Sequence, residues 1–129
     1  MAATIPIIRN VTIKNQTISR SPRGDMFYKD ELIREIEKYV KVDENLKKDI
    51  NSLMVTEFDF NKVSLTYNNL PVYHLSRGYA AKQMSTTLFF THPTENKIEI
   101  IAIGSHETGN EYGVIWRVNN TSIPQKITI

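Results

Sequence analysis

The sequence predicts an α+β fold: one or two N-terminal strands, two short helices, then a mainly antiparallel β-sheet meander packed on the helices. Three observations carry this prediction. Apolar residues alternate loosely with polar ones over residues 4–18, fall at helical spacing between residues 30 and 54, and alternate again from Phe58 onward. A length of 129 residues suits a single domain with one core, whereas two domains would leave both halves too small to fold comfortably.

The elements follow in order. Ile5, Ile7, Val11, Ile13 and Ile18 are separated mostly by polar residues and predict one or two extended segments. Ser19 to Asp25 reads as a loop, because Pro22 and Gly24 punctuate a polar run. Leu32, Ile33, Ile36, Tyr39 and Val40 then share one face of a helix that Asp30 is placed to cap. Asp43 is placed to cap a second helix with Leu46, Ile50, Leu53 and Met54 on its apolar face. Phe58, Phe60, Val63, Leu65 and Tyr67 alternate as a strand, and Asn68 to Pro71 turns the chain. Ser85–Phe90 and Lys97–Ile103 form a hairpin around a turn from Thr91 to Asn96, and the second arm, ending continuously apolar, is the central strand. Gly104 to Gly109 is expected as a loop, with Val114, Trp116 and Val118 on a last strand.

Composition excludes several classes. With 40% hydrophobic and 23% charged residues, the chain is neither a disordered polymer nor a membrane bundle, and no apolar run reaches the ~18 residues of a bilayer span. Its start lacks the basic and apolar regions of a signal peptide. The absence of Cys removes disulfides, thiolate nucleophiles and Cys-based zinc sites. No pair among the three His has the i, i+4 spacing of a helical metal site, and neither a Gly-rich phosphate loop nor a G-x-S-x-G elbow occurs, so no metal and no cofactor is expected.

The net charge of +2 is small, but its distribution is uneven. Residues 1–60 hold ten basic and ten acidic residues, whereas residues 60–94 contain no acid and carry Lys62, Arg77, Lys82, His74 and His92 among Tyr67, Tyr73, Tyr79, Phe89 and Phe90. Such a mixture suits phosphate contacts and base stacking, and equally suits buried strand aromatics beside solvated lysines. Lys62, Tyr79 and Lys82 are its candidate RNA-binding residues. Metal-free RNA cleavage needs a general base for the 2′-hydroxyl proton, a cation for the phosphate and a general acid for the leaving 5′-oxygen. His74, Arg77 and His106 offer that inventory, and Tyr112 stands nearby.

The run Leu88-Phe89-Phe90-Thr91-His92-Pro93-Thr94-Glu95-Asn96-Lys97-Ile98-Glu99-Ile100-Ile101-Ala102-Ile103-Gly104-Ser105-His106-Glu107, followed by Tyr112, resembles the C-terminal hairpin of RelE/ParE-like bacterial toxins, in the wider barnase, EndoU, colicin and RelE group. The resemblance covers about residues 30–115, leaving residues 1–25 as a poorly matched N-terminal extension. It implies functional roles for His106 and Tyr112, and less securely aligned phosphate contacts from Arg77 and Lys82. His stands where that family often has Arg, and basic residues are fewer. The implied function is an endoribonuclease toxin that cuts tRNA or another RNA by 2′-hydroxyl attack, with His74 and His106 as the acid–base pair. It is expected to act in the bacterial cytoplasm, delivered as part of a larger secreted toxin or paired with an antitoxin, and to be neutralised by an acidic antitoxin or immunity protein, without membrane binding. A ParE-like topoisomerase inhibitor and a non-catalytic RNA- or protein-binding module remain open as alternatives.

Overall fold

The structure is a computed structural model that describes residues 3–4, 10–19, 26–55, 59–76, 86–108, 111–118 and 122–128. Its elements are β1 (Ala3–Thr4), β2 (Asn10–Ile13), β3 (Gln16–Ser19), α1 (Met26–Glu37), α2 (Glu44–Val55), β4 (Asp59–Tyr67), β5 (Leu70–Ser76), β6 (Thr86–Thr94), β7 (Lys97–Thr108), β8 (Glu111–Arg117) and β9 (Lys126–Thr128). The α+β class and the mainly antiparallel meander read from periodicity are those of the molecule. No helix among the described residues is long and apolar enough to cross a membrane.

Local chemistry explains much of this order. Asp43 accepts a 2.8 Å hydrogen bond from the Leu46 amide and so caps α2. Leu46, Ile50 and Leu53 of α2 and Leu32 and Ile36 of α1 are fully buried, as their spacing requires. Two hairpins turn on residue pairs with positive φ, Lys14–Asn15 (47° and 68°) and Asn68–Asn69 (52° and 65°). Two successive left-handed residues match the right-handed twist of the flanking strands, and Asn tolerates that conformation better than most residues.

The central strand is β7, and its two edges are used differently. β6 runs antiparallel along one edge, while the other is shared by β2, parallel at Lys97–Ile100, and β8, antiparallel at Ala102–Thr108. The sheet therefore forks at Ile101, which lies in a register shift opposite Phe89 and Phe90. Along the path β4-β5-β6-β7-β8-β9 the sheet curls until β9 packs against β4. Two cores result. On the helical side, Val11, Ile13, Leu88, Phe90, Ile98, Ile100 and Ile103 meet the helices. Inside the curl, Val63, Tyr67, Val72, Phe89, Ile101, Ala102, Tyr112, Ile123 and Ile127 pack together.

Several expectations are corrected. α1 begins at Met26, so Asp30 lies within the helix rather than at its cap. An exposed Asp inside a helix costs only tenths of a kcal/mol, too little to stop it. Strand β6 continues to Thr94, leaving only Glu95–Asn96 as the turn, and Pro93 is tolerated because the register shifts between Thr91 and Thr94. Gly104 to Thr108 is strand, not loop, because β8 supplies partners from Gly104↔Val114 to Thr108↔Glu111. The N-terminal strands expected from residues 4–18, by contrast, are present: residues 10–19 belong to the sheet, with Val11 and Ile13 fully buried beside β7. Strand β9, three residues long, is too short to announce itself by alternation. The loop read over residues 19–25 lies, beyond Ser19, outside the described residues.

Candidate active site on the inner face of the curled sheet

Strand alternation decides which side chains can meet. Cross-strand partners share a face, and the neighbours His74↔Phe89 and Phe89↔Ala102 put β5, β6 and β7 side chains together inside the curl. Two residues beyond Gly104, His106 points to the same side and pairs with Tyr112 of β8. The Tyr112 ring then contacts both imidazoles. Its centroid is 5.1 Å from His106, edge to face at 89°, and 5.8 Å from His74 at 49°. Phe89 buttresses it from below, edge-on at 5.5 Å. Three strands thus bring together His74, Tyr112 and His106, three of the four residues expected to be catalytic.

Gly104 makes this arrangement possible. A Cβ there would lie 2.6 Å from the Gly113 carbonyl oxygen and 3.0 Å from Cε2 of Phe89, so only a residue without a side chain allows β8 and the Phe89 ring to approach. Tyr112 is 5% exposed, and its ring is occupied by contacts with three neighbours. Its ring therefore supports both His rings.

The two imidazoles differ in surroundings. Nδ1 of His74 lies 3.0 Å from the backbone carbonyl oxygen of Asn61. A carbonyl can only accept, so Nδ1 carries the proton and Nε2 keeps its lone pair in the neutral ring. Burial pushes the His74 pKa below the ordinary 6.5, against a smaller opposing effect of the Asn61 bond. His74 is therefore neutral at physiological pH and presents a basic Nε2. His106 is half-buried, and its Nδ1 is shielded from solvent.

The remaining expected residues are placed as follows. Lys62 is exposed opposite Tyr73, on the sheet face away from His74, so it does not reach the imidazoles. Arg77, Tyr79 and Lys82 lie outside the described residues. His92 donates from Nε2 to the Glu95 carbonyl at 3.2 Å and serves the β6–β7 turn. Among the described residues, no three His, Asp or Glu side chains group closely enough to hold a metal ion. The carbonyl of Asn61 had no signal in the sequence, since any residue type supplies it.

A groove of about 1280 Å³ lies on the other face. Ser105 and Glu107, which alternate with His106 along β7, line it beside Tyr39 and Trp116. The imidazole cluster and the groove are thus back to back across one strand. No protein-family model, no curated protein and no solved structure matches the chain, so its own geometry carries the functional reading.

Proposed function

We propose that this protein is a metal-independent endoribonuclease. Nε2 of His74 accepts the 2′-hydroxyl proton as that oxygen attacks the adjacent phosphorus, and His106 protonates the departing 5′-oxygen. The products are a 2′,3′-cyclic phosphate and a free 5′-hydroxyl, so proton and phosphate both balance. The observation that carries this reading is the convergence of two imidazoles from different strands on one buried tyrosine, with the tautomer of one set by a backbone carbonyl. Positioned acid–base pairs need this kind of rigid support. The hairpin's resemblance to RelE/ParE-like toxins supports the same reading and makes tRNA the favoured substrate, the bacterial cytoplasm the place of action, and an acidic antitoxin or immunity protein the neutralising partner.

The test is incubation of the purified protein with total RNA in EDTA. Discrete fragments ending in 2′,3′-cyclic phosphate are expected. Intact RNA together with inhibited DNA supercoiling by a topoisomerase would replace this reading with the ParE-like one. Cleavage that vanishes in EDTA and returns with Mg²⁺ would overturn the two-imidazole mechanism.

A further inference from the structure

The groove behind the imidazoles has chemistry of its own. Trp116 of β8 stacks on Tyr39, just past the end of α1, with centroids 4.6 Å apart and planes 26° apart, and both rings are half-buried in the groove wall. Lys14 Nζ stands 5.6 Å from the centre of the Tyr39 ring. Lys41 and Arg117 line the same groove, and Arg117 is steadied by donating from Nη1 to the Ile123 carbonyl at 2.7 Å. The acids of the groove are already engaged. Asp43 accepts the Leu46 amide as a helix cap, and Glu107 lies 3.6 Å from Lys126. The groove thus presents an aromatic pair among charged groups, in which Lys41, Arg117 and Lys126 outnumber Asp43 and Glu107. The hydroxyl of Ser105, on the groove wall, has no hydrogen-bond partner among the described residues.

We propose that this groove is a second contact site for the RNA strand, in which bases stack on the Trp116–Tyr39 pair and phosphates lie against Lys41 and Arg117. The proposal rests on the ribonuclease reading and names a substrate subsite for it. Aromatic platforms with flanking cations bind single-stranded nucleic acid without reading sequence. A volume of about 1280 Å³ exceeds the ~300–1,000 Å³ of a small-molecule pocket and suits several linked nucleotides. Because Ser105 and Glu107 flank His106 on one strand, a chain passing round the end of the β7–β8 pair contacts the groove on one side and the imidazoles on the other.

Trp116 is the chain's one tryptophan, so its fluorescence reports this groove directly. The probe is a ten-nucleotide 2′-O-methyl oligouridylate, which binds as RNA but has no 2′-hydroxyl to attack. Saturable quenching at low salt is expected, with Lys41→Glu weakening the apparent Kd at least about 5-fold and Lys41→Gln less, and both lowering the salt slope. Oligonucleotide binding seen by anisotropy without any change in Trp116 emission would overturn the proposal, as would an unchanged Kd in Lys41→Glu. Equal quenching by polyglutamate would overturn it in favour of an acidic protein partner. Quenching with no cleavage of ordinary RNA would leave the groove standing and sink the ribonuclease reading; cleavage without quenching would do the reverse.

Discussion

The two glycines at neighbouring register positions of β7 and β8, Gly104 opposite Val114 and Gly113 opposite Ser105, should respond very differently to one added methyl group. Gly104→Ala places a Cβ 2.6 Å from the Gly113 carbonyl oxygen and 3.0 Å from the Phe89 ring, whereas a Cβ at Gly113 meets the carboxylate end of Glu107. Neither glycine has the positive φ that would strain an alanine, so space alone decides. At Gly104 the obstacle is backbone, and β8 must move. Overpacking of this kind costs ~1–3 kcal/mol, offset by ~0.4–1 kcal/mol from the stiffer unfolded chain. At Gly113 the obstacle is a flexible side chain that can swing away, losing an exposed ion pair with Lys126 worth ~0–1 kcal/mol, against the same offset. Gly104→Ala is therefore expected to lose ~1–2 kcal/mol relative to Gly113→Ala, a gap in Tm of roughly 3–8 °C for a chain of this size. Urea and thermal unfolding measure it. Because Gly104 admits the Phe89 ring that supports Tyr112, RNA cleavage should fall further in Gly104→Ala than its stability loss explains. If Gly113→Ala proved as damaging as Gly104→Ala, the close approach of β7 and β8 would not be the constraint that organises this site.

Other substitutions probe the remaining links. His106→Ala should lower cleavage by ~10²–10⁴ while costing stability only about 1 kcal/mol through the lost edge-to-face contact with Tyr112; His92→Ala, at the β6–β7 turn, should cleave nearly as wild type. Burial lowers the His74 pKa from 6.5, so below that pH the unfolded chain binds a proton that the folded chain resists. Stability should then decline as pH falls from 6.5 towards the folded pKa, and His74→Gln should flatten this decline in urea titrations. The acidic limb of the pH–rate profile should likewise lie below 6.5 if His74 is the base; a limb above it would reassign that role. Asp43→Ala removes the cap on the Leu46 amide and should cost ~0.5–2 kcal/mol by the same unfolding assay.

The sequence by itself determined the local elements. Helical spacing placed Leu32, Ile36, Leu46, Ile50 and Leu53 on buried faces, Asp43 announced the start of α2, and Asn68–Asn69 marked a tight turn, because period, capping and left-handed tolerance are properties of neighbouring residues. It also marked His74, His106 and Tyr112 by residue type. Only the tertiary structure decided that they meet. His106 reads as a loop residue after a glycine until β8 pairs with Gly104–Thr108 and extends β7 beneath it, and the curl of the sheet, not sequence proximity, brings His74 within reach of Tyr112. The same holds for Lys62, which sits in the acid-free stretch yet faces away from His74, since a strand alternates sides at every residue. The Tyr39–Trp116 stack joins residues far apart in the chain. The fork at Ile101 joins β2 to the same edge as β8, a partnership that depends on which strand reaches that edge, and no local pattern of residues records that competition.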